Sequence, residues 1–101
     1  MNGNVLLIDD SELDLRVATA ILERIGFACH GFVDPQEAIK WADENEPQLI
    51  FLDLELPGTT GFDLLPILQA HPKAGKAPII IVSGMNQLES VKKAISLGAR
   101  D

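Results

Sequence analysis

Continuous apolar runs alternate with helical stripes along this chain almost without interruption. Asn4–Ile8 (NVLLI) is a short apolar run, the pattern of a strand covered on both faces. From Ser11, the residues Leu13, Leu15, Val17, Ala18, Ile21, Leu22 and Ile25 recur at helical spacing, and Gly26 stands where a left-handed C-terminal cap belongs. Residues 27–33 (FACHGFV) form a weaker strand broken by Gly31, as expected of a sheet edge. Asp34, Pro35 and Glu37 open a second helix that carries Ala38, Ile39, Trp41 and Ala42 and ends before Pro47.

Residues 49–54 are the most apolar strand and are expected at the centre of the sheet. A turn follows at Pro57-Gly58. Gly61, Phe62, Leu64, Leu65, Ile67 and Leu68 then read as a helix, which Pro66 should kink or shorten at its start. Residues 78–82 (PIIIV) are a fourth strand, and Leu88, Val91, Ile95 and Leu97 mark a fourth helix with Lys92 and Lys93 outside it. Four strand-then-helix units mean an α/β fold: a doubly wound parallel sheet with helices on both faces and right-handed crossovers.

Composition narrows the class. At 101 residues the chain is one domain, 1–101, with a mainly aliphatic core. Eight Lys and Arg against fifteen Asp and Glu give a net charge of −7, which argues against direct nucleic-acid binding and against an anionic membrane surface. The lone Cys29 fits a reducing compartment, and the N-terminus has neither the basic start nor the apolar length of a signal or a membrane span. A cytoplasmic location is expected.

The chemistry gathers after the strands. Asp9-Asp10, Asp53 and Ser83 each follow or close a predicted strand, the first, third and fourth. All strands of a parallel sheet point the same way, so these groups share one edge, where such folds bind ligands. Three carboxylates there repel unless a cation sits among them, and an all-oxygen set suits a hard ion such as Mg²⁺, or Mn²⁺ in its place. A carboxylate beside such an ion is suited to attack phosphorus, which points to acyl phosphate formation on Asp53.

With VLLIDDS, FLDLELPGTTGFDLL, PIIIVSG and SLGARD in place, the chain resembles the receiver domain of two-component response regulators over its whole length. The resemblance implies a flavodoxin-like sheet in the order 2-1-3-4-5. It implies Asp53 as phosphoacceptor, Asp10 as the main metal ligand with Asp9 assisting, and the backbone carbonyl of Glu55 as a further ligand. Ser83, followed by Gly84, would contact the phosphoryl group, and the Glu55 and Met85 side chains would modulate the lifetime of the phosphorylated state. The partner implied is a sensor histidine kinase or a histidine phosphotransfer protein. The domain would catalyse its own phosphorylation and dephosphorylation as a regulatory element in a phosphorelay, and is not expected to be a turnover enzyme.

One departure from the family pattern is large. The fifth strand and last helix, with a phosphoryl-contacting lysine and a switch aromatic, would begin after Asp101. Lys73 and Lys76 precede the fourth strand and cannot substitute for that lysine. The chain is therefore read as four units in the order 2-1-3-4, C-terminally incomplete, with an exposed fourth-strand edge open to homo-oligomer or strand-swapped assembly. Two other functions stay open: a pseudo-receiver or fragment serving only as an assembly module, and a hydrolase, against which Glu55 stands where a second Asp is needed. His30 and His71 read as surface residues, Cys29 as a core thiol, and Trp41 as a packing residue.

Overall fold

The computed structural model describes residues 3–53, 55, 56 and 59–82. The elements run β1 (Asn4–Ile8), α1 (Glu12–Arg24), β2 (Ala28–Phe32), α2 (Pro35–Glu44), β3 (Leu49–Asp53), β4 (Glu55–Leu56), β5 (Thr59–Thr60), α3 (Gly61–Ala70), a 3₁₀ turn at Ala74–Lys76, and β6 (Ile79–Val82). β1, β2, β3 and β6 form one parallel sheet in the order β2-β1-β3-β6. This is the flavodoxin-like order, with β1 and β3 at the centre. The predicted fourth helix lies outside the described residues, as does the Pro57-Gly58 turn.

Burial explains why the central strands are the continuous apolar runs. Every residue of β3 and all of β1 after Asn4 are buried, whereas β2 at the edge has no buried residue. Alternate side chains serve two cores. Val5, Leu7, Leu49, Phe51 and Ile80 meet Ala18 and Leu22 of α1 on one face. Leu6, Ile8, Ile50 and Leu52 meet Ala38 and Ala42 of α2 and Leu64 and Leu68 of α3 on the other. Each aliphatic side chain so covered contributes about 1.5–3 kcal/mol.

Local chemistry sets the helix ends. Ser11 caps α1, its Oγ accepting from the Asp14 N–H at 3.2 Å, and Asp34 caps α2, accepting from the Gln36 N–H at 2.9 Å with Pro35 in the first turn. Gly26 follows α1 with φ of 100°, the left-handed conformation that a side chain would strain.

Two features after β3 add to the sequence reading. α3 runs unbroken from Gly61 to Ala70 with Pro66 inside it. Pro66 and Ile67 are exposed while Leu64 and Leu68 are buried, so packing of those two leucines offsets the poor helix propensity of the proline. The short antiparallel pair β4–β5 after β3 was not foreseen.

Candidate functional site

β1 and β3 are neighbours in the register Val5↔Leu49 through Ile8↔Leu52, so the next residues, Asp9 and Asp53, fall side by side. Both continue the odd-numbered faces of their strands, Val5-Leu7-Asp9 and Leu49-Phe51-Asp53, and so point to the α1 side of the sheet. The Asp9 N–H donates to the Phe32 carbonyl at 3.1 Å, which extends the β1–β2 ladder and fixes the Asp9 backbone. Asp10 is the first exposed residue after the strand.

One carboxylate oxygen from each of Asp9, Asp10 and Asp53 lies within 4.8 Å of the other two. Asp9 and Asp53 are only 5% and 6% exposed, the two buried charged side chains among the described residues. Asp9 carries the consequence. Burial pushes its carboxyl from the ordinary 3.8 up to about 7. The Ser11 N–H, donating to its Oδ1 at 2.9 Å, works against that rise, while the charge of Asp53, a hydrogen bond shared with Asp53, and the charge of Asp14 add to it.

This arrangement suits a divalent cation. Three carboxylates, one of them on an exposed residue, give the hard oxygen donors that such an ion prefers. The structure therefore brings together Asp9, Asp10 and Asp53. Ser83, Gly84 and Met85 lie outside the described residues; Glu55 opens β4, directly after the site, and its side chain is not among those described.

A family model for the response regulator receiver domain matches residues 5–101. The chain belongs to that family. It is a receiver domain of the two-component response regulators, and the four-stranded order matches the fold expected of one. It is 31% identical over 98 residues to the phosphoglycerate transport system transcriptional regulatory protein PgtA of Salmonella typhimurium, covering 97% of this chain and 23% of that protein. The chain thus spans less than a quarter of that relative's length. It is 30% identical to the two-component response regulator ORR12 of Oryza sativa subsp. japonica, covering 97% of this chain and 82% of the relative. Among solved structures it resembles a response regulator protein of Burkholderia pseudomallei that holds a phosphorylated aspartic acid, a calcium ion and citrate. That match has a TM-score of 0.70 and 29% identity over 89% of this chain and 54% of the other.

The polar residue that sequence reasoning undervalued is His71. Its side chain is only 10% exposed. Nδ1 accepts from the N–H groups of Lys73 and Ala74 at 3.1 and 3.0 Å, so the ring proton sits on Nε2, which donates to Asp43 Oδ1 at 2.8 Å. Lys73 Nζ adds a bond to the Asp43 carbonyl at 3.0 Å, and this ties the segment after α3 to the end of α2. The available signal was a histidine in the turn that ends a helix, where ring nitrogens meet free backbone groups. His30 is half-buried too, its ring stacked on Trp41 at 4.6 Å and its Nε2 3.2 Å from Asn4 Oδ1. Cys29 is half-buried against the α1-side core, and burial pushes its thiol up to about 11, with the Glu23 charge adding.

Proposed function

We propose that this receiver domain accepts a phosphoryl group on Asp53 in a divalent-cation-dependent reaction, with Mg²⁺ (or Mn²⁺) held by Asp9, Asp10 and Asp53. The observation that carries this reading is the convergence of those three carboxylates at the carboxyl ends of two adjacent central strands. A cation bound there would supply positive charge for the phosphoryl oxygens.

The chain's own residues do the rest. Asp53 is fixed at the end of a fully buried strand, so its carboxylate is presented with little freedom to lose. A carboxylate oxygen attacks phosphorus, the P–N bond of a phosphohistidine donor breaks, and the freed imidazole takes up a proton; the product is an acyl phosphate on Asp53. Asp9, buried beside it, is held by the Ser11 N–H so that an oxygen stays directed at the shared site. In this reading Ser83 and Gly84 would contact the phosphoryl oxygens, the Glu55 carbonyl would serve as a further ligand to the ion, and Glu55 and Met85 would modulate the lifetime of the product. The donor is a sensor histidine kinase or a histidine phosphotransfer protein, and the domain works as a cytoplasmic regulatory element without substrate turnover. No helix among the described residues is long and apolar enough to cross a membrane.

Incubation with acetyl phosphate and Mg²⁺ is expected to add one phosphoryl group by intact mass, and Asp53→Asn to abolish the addition. A phosphorylated Asp53→Asn protein would overturn the assignment. The alternative of a purely assembling module predicts no addition to the wild-type chain.

A further inference from the structure

Among the described residues the sheet ends at β2, and no strand pairs with the outer side of β2. In the ladder with β1, the Ala28 N–H donates to Gly3 and the Phe32 carbonyl accepts from Asp9, so Ala28, His30 and Phe32 turn their backbone groups inward. Cys29 and Gly31 accordingly turn theirs outward, where they pair with nothing among the described residues. An edge with free N–H and C=O groups is a template for another extended chain.

A groove runs beside that edge under α1. One hollow of about 420 Å³ is lined by Leu15, Arg16, Thr19, Ala20, Glu23 and Gly31. A second, of about 490 Å³, shares Leu15, Arg16 and Gly31 and continues past Phe32 to Asp34 and Glu37. Gly31 creates the opening, because a Cβ there would point at Leu15, 3.3 Å from its Cδ2. The charges lining the groove are unequal: Glu12, Glu23, Asp34 and Glu37 stand against Arg16, on a chain of net charge −7.

We propose that the β2 edge docks an extended basic segment of a partner protein. The segment adds to the sheet through main-chain bonds to Cys29 and Gly31, places small apolar side chains in the groove at Gly31, and sets lysine or arginine against the four carboxylates. An apolar floor supplies contact area, the backbone supplies register, and the acidic lining selects the sign of the partner. The outward backbone groups belong to β2, one strand removed from Asp53 on β3, and the docking proposed here does not require Asp53 to be phosphorylated.

The test is titration of the chain with a short synthetic peptide alternating valine and lysine, followed by amide NMR shifts. Changes are expected at Cys29, Gly31 and Ala20, with none from the counterpart peptide carrying glutamate for lysine. Glu23 and Glu37 are exposed, so the double variant Glu23→Lys/Glu37→Lys keeps its fold by circular dichroism and should bind about tenfold more weakly. Gly31→Val, which fills the groove, should weaken binding by a similar factor. Equal affinity for the charge-reversed chain, shifts that map elsewhere, or absence of binding would overturn the proposal. Sedimentation of the chain as a dimer with Cys29 and Gly31 amides protected would assign the edge to a second copy and overturn it as well.

Discussion

At the carboxyl ends of β1 and β3, three carboxylates crowd within 4.8 Å and burial drives one of them toward neutrality; at the opposite edge, beyond the end of α2, both ring nitrogens of His71 have partners. Both clusters are polar and partly buried, but their energetics differ in sign. In the His71 cluster each desolvated group regains a hydrogen bond, so the cluster stabilises the fold and locks one arrangement of the chain after α3. In the Asp9-Asp53 pair, two carboxyl groups share a buried position, so ionising Asp9 costs the fold stability. Local conflict of this kind is what a binding site looks like before its ligand supplies the missing charge.

That comparison can be broken by substitution. After the loss of phosphorylation in Asp53→Asn comes the metal: Asp10→Asn should weaken Mg²⁺ binding by at least about tenfold, roughly the loss of one charge-assisted contact. Titration followed by amide shifts measures it, and unchanged affinity would remove Asp10 from the site.

Next is Asp9. A carboxyl raised to about 7 in the folded chain, above its ordinary 3.8, contributes stability that is complete below pH 3.8 and is lost as pH rises through about 7. The metal-free fold should therefore be weakest at and above neutral pH. Asp9→Asn should stabilise it there by on the order of a few kcal/mol, with the gain fading as pH falls toward 4. Urea melts in a chelator across pH check this, and a destabilised Asp9→Asn protein at pH 8 would refute it. His71→Ala should act with the opposite sign, costing about 1–3 kcal/mol by leaving the Lys73 and Ala74 N–H groups without their acceptor, with no change in Mg²⁺ affinity.

The smallest effect sharpens the comparison inside the site. Ser11 caps α1 with its hydroxyl but holds Asp9 with its backbone N–H. Ser11→Ala should cost about 1 kcal/mol of stability by loss of the cap, and Mg²⁺ affinity should stay unchanged because the N–H remains. A large loss of affinity would show that the hydroxyl takes part in the site.

Much of this was legible in the chain. NVLLI and LIFLD are continuous apolar runs because both faces of the central strands are covered, and FACHGFV is mixed because β2 lies at the edge. Ser11, Asp34, Pro35 and Gly26 marked helix ends by local chemistry that needs no distant partner. The prospective ligands were legible for the same reason: Asp9 and Asp53 stand at strand ends, and a parallel sheet aligns strand ends whatever the separation in sequence. The ten-residue length of α3 around Pro66 was less legible, because propensity is a local quantity and the burial of Leu64 and Leu68 is not.

By itself, then, the sequence determined the four strands of the parallel sheet, the three helices described between them and the sharing of one edge by the aspartates, since each of these follows from periodicity or from the direction of the chain. Tertiary structure decided what depends on which segments meet. It set Asp9 beside Asp53 on one face with the carboxyl of Asp9 forced up by burial, joined His71 to Asp43 of α2, and opened a groove at Gly31 under Leu15. The energies of buried charges, satisfied polar groups and empty spaces are set by neighbours distant in the chain, and no local pattern of residues records them.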